Sequence, residues 1–272
     1  MLTVERPLIL LTNDDGIRSP GLRAAVEAVL DLGEVFVVAP RDQQTGTGRA
    51  IAGERGQLPA RKVLRVAGME VPAYAILGTP AMAVLYGVLA LAPRRPSLLI
   101  SGINYGANLG TDVLASGTLG AALEAADLGV PALAVSLETE KALHYDNSTE
   151  LDFRAPQHFL RFFAQRMLAV PLPHDVDVLK VDVPQGATPQ TPWRVTRQSR
   201  QRYHVAFVRA YASPGGAPIL DYDALQAFEG VERDSDVWAT RVERLVSVTP
   251  LSLDLTSRVD LAELEGLLRS RG

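Results

Sequence analysis

Residues 13–16 read Asn-Asp-Asp-Gly and follow directly on the aliphatic run Pro7–Thr12, "PLILLT". Asp14 and Asp15 are neighbouring carboxylates, which repel each other unless a cation or a shared proton lies between them. Two later loops bring more oxygen chemistry: "APRDQQTGTGR" from residue 39 and "SGINYGANLGTDVLASGT" from residue 101. An amide oxygen from Asn104 or Asn108 and a hydroxyl from Thr45 or Thr47 would complete an all-oxygen donor set with the two aspartates. Mg²⁺ and Mn²⁺ prefer such a set, whereas zinc bound by nitrogen and sulfur does not fit it. The histidines (His144, His158, His174, His204) fall outside these loops, so a histidine triad has no local support.

The same loops carry anion-binding groups. Gly46 and Gly48 let backbone amides approach a phosphate closely, and Ser116-Gly117-Thr118 lies where a helix begins, with free N–H groups and hydroxyls at its positive end. A divalent cation held beside a phosphate dianion suits metal-assisted hydrolysis of a phosphate monoester. Competing signatures fail on spacing. Glycines follow the second strand rather than the first, and Ile51 stands where a dinucleotide fingerprint needs its third glycine. No G-x-x-x-x-G-K-[ST] loop exists, and the aspartates are adjacent rather than at i and i+2 as in haloacid-dehalogenase-like phosphatases.

Positioning those loops requires strands that end together. Up to about residue 137 the pattern alternates strand, turn and helix. "PLILLT", "EVFVVAP", "SLLISGIN" and "VPALAVSL" are continuous apolar runs, as expected for strands covered on both faces. Ser19-Pro20 and Ser116-Gly117 open capped helices, "TPAMAVLYGVLAL" reads as a helix, and "KVLRVAG" with "VPAYAIL" reads as an antiparallel insertion. This predicts a doubly wound sheet, in which ligands bind outside the carboxyl ends of the strands where the winding reverses. A helix near "APQHFLRFFAQRML" and a strand "DVLKVDVP" continue the α/β core. The expected organisation is a catalytic core over 1–190, a β-rich excursion over 191–256 and a C-terminal helix over 257–272. "LVSVTPLSLDLT" is the clearest strand pair of the excursion, which either covers the site or builds an oligomer interface.

Composition bounds the partners. The chain has 272 residues, 47% apolar content and a formal charge of −4, so it offers no basic stripe for polymeric nucleic acid. It has no cysteine and no uninterrupted run of about 18 apolar residues. With no basic-then-apolar leader, the expectation is a soluble cytoplasmic protein without a membrane partner. Basic residues are 24 Arg against 3 Lys, and three of only four asparagines (Asn13, Asn104, Asn108) fall in the two chemical loops. The fourth, Asn147, sits in an Asn-Ser-Thr sequon without a secretory context.

"LLTNDDGIRSPG", "VFVVAPRDQQTG", "GTPA", "SGINYGANLGTDVLASGTLGAALEAADLGVPALAVSL", "LKVDVP" and "VSVTPLSLDLT" occur in this order over roughly residues 7–256. Together they closely resemble the SurE (survival protein E) family of metal-dependent nucleotidases and acid phosphatases. The resemblance implies a three-layer Rossmann-like core with a mostly parallel sheet, and 5'- (and 3'-) nucleotidase activity on nucleoside monophosphates. It implies one divalent cation per subunit, Mg²⁺ or Mn²⁺, on Asp14, Asp15, Thr45 and Asn104, with Asp14 and Asp15 catalytic. Asn13, Gly46, Asn108, Ser116, Gly117 and Thr118 would face the substrate phosphate. A homodimer or homotetramer with exchanged C-terminal segments is also implied. Thr45 replaces the family's loop serine, "APRD" replaces "APDR", and "GTGRAIAG" replaces a more serine-rich run. These departures bear on substrate preference rather than reaction class, and they motivate one alternative, a nucleotide-binding or assembly protein without turnover.

Overall fold

A computed structural model describes residues 5–144, 151–211 and 216–270, so the sequon at Asn147 lies outside the described residues. The core begins with β1 (Leu8–Thr12), α1 (Pro20–Val29) and β2 (Glu34–Pro40), followed by the antiparallel pair β3 (Ala60–Val66) and β4 (Met69–Ile76). Next come α2 (Pro80–Tyr86), β5 (Leu98–Tyr105), α3 (Gly117–Asp127), β6 (Ala132–Leu137), α4 (Arg154–Ala169) and β7 (Val178–Val183). The remaining elements are β8 (Trp193–Val195), β9 (His204–Tyr211), β10 (Pro218–Ala224), α5 (Asp236–Arg241), β11 (Val246–Leu251) and α6 (Leu261–Arg269).

Among the described residues, nine strands form one sheet in the order β3-β4-β2-β1-β5-β6-β7-β11-β8. The central run from β4 to β7 is parallel, and β11 pairs antiparallel with β7. The chain winds outward from β1 to β2, then returns past β1 to β5, so the winding reverses between β1 and β5. That switch point is where the two aspartates emerge.

Alternation along β1 shows why the sheet must be covered twice. Ile9 and Leu11 join one core with Leu22, Val26 and Val29 of α1 and Phe159, Leu160 and Phe163 of α4. Leu8 and Leu10 join another with Ala83 and Val84 of α2 and Leu119, Ala122 and Ala125 of α3. All four strand residues are fully buried, each contributing about 1.5–3 kcal/mol of hydrophobic stabilisation. The result is an α/β three-layer sandwich with a mostly parallel sheet. No helix among the described residues is long and apolar enough to cross a membrane.

Some local expectations change. "LVSVTPLSLDLT" forms one strand, β11, and not a pair. Beyond Leu251 the polar side chains and backbone bond one another instead: Ser252 Oγ to Asp175, the Leu253 N–H to Asp177, and the Asp254 N–H to Ser252 Oγ. Within 191–256, β8 and β11 belong to the main sheet, while β9 and β10 form a separate antiparallel hairpin. The helix expected after Thr79 is α through Tyr86 and continues as a π turn over Gly87–Leu91.

Candidate metal and phosphate site

The carboxyl end of β1 delivers Asn13, Asp14 and Asp15 into a buried corner, at 0%, 5% and 4% exposure. Two charges so placed would be costly unless matched, so their partners decide the chemistry. Asp14 Oδ1 accepts a 2.5 Å hydrogen bond from Thr118 Oγ1, and the Thr118 N–H also bonds its carboxylate. The start of α3 is thus turned onto Asp14, where its dipole favours negative charge. Burial nevertheless raises the Asp14 carboxyl above the usual range, outweighing these hydrogen bonds. Asp15 is raised further, by burial first and then by the charge of Asp14, against the Tyr105 N–H and Gln43.

Gln43 Nε2 lies 3.4 Å from Asp15 Oδ1 and 2.7 Å from the His144 carbonyl oxygen. Asp15 Oδ2 and Asn13 Oδ1 are buried with no hydrogen-bond partner, and Asn13 Nδ2 donates to the Gly16 carbonyl at 3.1 Å. Orphaned oxygens beside two mutually repelling carboxylates fit a hard divalent cation, which would satisfy them and lower both proton affinities. Among the described residues no group of three or more His, Cys, Asp and Glu is gathered for a metal; the other hard oxygens these loops carry are amides and hydroxyls.

The loop after β2 is held at both ends. The Gln44 N–H donates to Asp14 O at 2.7 Å, and the Gly48 N–H to Ala115 O at 2.9 Å. Between them Thr45 and Gly46 are exposed, and Gly46 adopts φ +77° with open space around it. Thr47 turns inward instead. A Cβ on Gly117 would lie 2.9 Å from Asp14 Cβ and 3.0 Å from Thr47 Oγ1, so Asp14 and Thr47 flank the Gly117 Cα. Of the two hydroxyls expected from this loop, that of Thr47 lies close to Gly117 beside Asp14, and Thr45 is exposed.

Asn104 and Asn108 come from the other side of the switch point. The β5–β6 register shifts between Gly102 and Asn104, a bulge of the kind that re-aims a side chain. Asn104 Nδ2 donates to the Gly106 carbonyl at 2.8 Å, and Asn108 Nδ2 to Ser136 Oγ at 2.7 Å. Ser116 Oγ caps α3 through the Leu119 N–H at 3.2 Å. The structure therefore joins Asp14, Asp15, Gly117 and Thr118 directly, with Ser116 and Thr47 alongside. Sequence reading missed Gln43, which braces Asp15, and Ser136, which orients Asn108. Ser136 was detectable as a polar residue inside the buried strand "ALAVSL"; Gln43 had no distinguishing signal.

Two cavities flank this corner. One, of about 180 Å³, is lined by Ala107, Lys141, His144, His204 and Tyr222 on the far side of Gln43. Burial, His204 and Lys141 together push His144 down to about 4, so its ring is neutral near pH 7. The other, of about 690 Å³, lies between Ile17, Arg41 and β3 and includes neither aspartate.

A family model described as "Survival protein SurE" matches residues 9–205. The chain is 42% identical over 261 residues to "5'-nucleotidase SurE" of Thermococcus gammatolerans, covering 96% of this chain and 95% of that one. It is 41% identical to the protein of the same name from Thermococcus kodakarensis, covering 96% and 98% of the two chains. Among solved structures, the SurE protein of Aquifex aeolicus superposes with a TM-score of 0.74 at 31% identity, covering 96% of this chain and all of that one.

Proposed function

The chain belongs to the survival protein SurE family, and from that premise we propose that it is a metal-dependent phosphomonoesterase hydrolysing nucleoside 5'- and 3'-monophosphates. The observation that carries this reading is the pair of buried, adjacent carboxylates with an unpartnered oxygen on Asp15, set at the switch point and against the start of α3. Relatives named 5'-nucleotidase, similar over nearly the whole length of both chains, support the substrate class.

One Mg²⁺ or Mn²⁺ per subunit would be held by Asp14, Asp15, Asn104 and a hydroxyl of the loop after β2, Thr45 or Thr47. When bound, such an ion supplies Lewis-acid polarisation of the phosphoryl oxygens. The chain's own residues do the rest. Thr118 fixes the rotamer of Asp14, while Gln43 and the Tyr105 N–H fix Asp15, which orients the attacking water opposite the leaving oxygen. Asn13, the Gly46 amide, Asn108, and Ser116 with Gly117 at the start of α3 would face the phosphoryl oxygens and stabilise charge spreading in the transition state. Water oxygen bonds to phosphorus, the phosphorus–oxygen bond to the nucleoside breaks, and the water's proton passes to the departing oxygen.

We place this activity in the cytoplasm and in a homodimer or homotetramer. The exposed leucines of α6, Leu261, Leu264, Leu267 and Leu268, support self-association. The test of function is phosphate release from a panel of nucleoside 5'- and 3'-monophosphates with Mg²⁺, Mn²⁺ or chelator, for wild type and Asp14→Asn. Release that depends on metal and is lost in the variant is expected. No release by the wild type with either ion would overturn the assignment.

A further inference from the structure

Three ionisable side chains lie at 0% exposure beneath the site: Lys180 and Asp182 on β7, and Asp236 at the start of α5. Residues two apart on a strand share a face, so Lys180 and Asp182 both point toward the layer that holds α3. Their neighbours on the sheet make room for them. Ala134 and Ser136 flank them from β6, and Thr249 and Ser247 from β11. Lys180 Nζ donates to Asp182, to Asp236 Oδ2 at 3.0 Å and to the Asn108 carbonyl oxygen at 3.0 Å. Asp182 Oδ1 accepts the Asn108 N–H at 2.8 Å. Both backbone polar groups of Asn108 are therefore taken up by this one ion pair. Asp236 extends the grip, accepting the Gly110 N–H at 3.1 Å and the Ser199 N–H at 2.9 Å.

Stability alone is a poor reason for this arrangement. Burying three charges costs several kcal/mol per ion before their attraction offsets it, and well-packed apolar residues often do as well or better. Burial would lower the Lys180 ammonium, but the two aspartates outweigh it and hold the amine above the usual lysine range. What a charged cluster supplies and an apolar one cannot is a fixed set of directional hydrogen bonds to the 108–110 backbone.

We propose that Lys180, Asp182 and Asp236 are positioning residues that fix the Asn108–Gly110 loop, and through it the Asn108 side chain, against the phosphoryl group. The inference rests on the phosphomonoesterase reading above. Asn108 is doubly constrained: the cluster holds its backbone, and Ser136 Oγ holds its amide nitrogen. The loop between β5 and α3 thereby becomes a rigid arm rather than a mobile connection.

The test compares the full-length wild type with Lys180→Met/Asp182→Asn, using a nucleoside 5'-monophosphate with Mn²⁺. This double substitution keeps the cluster's net charge at one negative and keeps an acceptor for the Asn108 N–H. It removes the ammonium that reaches the Asn108 carbonyl. In the folded variant we expect kcat to fall by about 10- to 100-fold, the range usual for residues that orient a site from behind. The Mn²⁺ half-saturation should not change, because Asp14, Asp15 and Asn104 are not held by the cluster, and amide exchange should accelerate at residues 108 and 110. Should the double variant not fold, Asp182→Asn carries the same test. It keeps the volume and the Lys180–Asp236 pair, but Asp182 meets Asn108 and Lys180 with different oxygens, and an amide replaces one of them with an NH2 that cannot accept.

Wild-type kcat and KM in a folded variant would overturn the proposal. So would a loss of activity matched by an equal weakening of Mn²⁺ dependence, since that pattern marks general loosening rather than loop positioning. A wild type that releases no phosphate would sink the phosphomonoesterase reading and this inference with it. An active wild type with an unaffected variant would sink this inference alone.

Discussion

At the scale of single residues, the site stores unfavourable charge. Asp14 and Asp15 are buried side by side with their proton affinities raised, and Asp15 Oδ2 has no partner. In metal-free protein, Asp15→Asn removes the repulsion at almost constant volume, so thermal stability should rise by about 1–2 kcal/mol while phosphate release is lost. A lower melting temperature than metal-free wild type would show that the charges are already compensated within the fold. His144 makes a second residue-level case. Its folded value of about 4 lies below the usual 6.5, so the unfolded chain binds the proton more readily. Stability present above pH 6.5 is then lost as pH falls toward 4, by on the order of 2 kcal/mol after allowance for partial exposure. His144→Asn should flatten the acid limb of the stability profile over that window. An unchanged limb would assign it to other groups.

At the scale of elements, the proposed activity predicts sensitivity to how closely α3 meets the loop after β2. Gly120 on α3 faces the Gly48 carbonyl directly, and a Cβ there would collide with it. Arg49, next in the loop, is tied back to the same helix by Glu124 at 2.8 Å and Asp127 at 2.5 Å. Helix propensity alone would favour Gly120→Ala by about 1 kcal/mol. The collision reverses the sign. The variant should lose about 1–3 kcal/mol of stability by overpacking, and about tenfold or more in kcat/KM because Thr47 and the Gly46 amide move with the loop. Wild-type kcat/KM in this variant would show that the loop's resting position is immaterial to turnover.

At the scale of the whole molecule, the nine-stranded sheet and its two helical layers form the body, and α6 adds nothing to its core. No residue of α6 is buried, yet Asp260 caps it and four leucines stand on its surface. Deleting residues 257–272 should leave thermal unfolding of the remaining body within about 0.5 kcal/mol of wild type, as for surface changes generally, while sedimentation shows a smaller assembly. An unchanged sedimentation coefficient would show that the leucines of α6 do not mediate self-association.

The sequence by itself determined the alternation of buried strands and capped helices, because uninterrupted aliphatic runs and Ser-Pro or Ser-Gly caps depend only on neighbouring residues. It determined that Asn13, Asp14 and Asp15 follow directly on the first strand, and the order and content of its motifs pointed to the family. Tertiary structure decided what adjacency along the chain cannot. Thr118 spends its N–H and hydroxyl on Asp14 rather than on open crevice, and Thr47 meets Asp14 across Gly117. Only the folded sheet brings Lys180 and Asp182 under Asn108, 72 and 74 residues away in the chain. "LKVDVP" reads locally as an ordinary strand, and its charges acquire a purpose only once packing has removed water from around them.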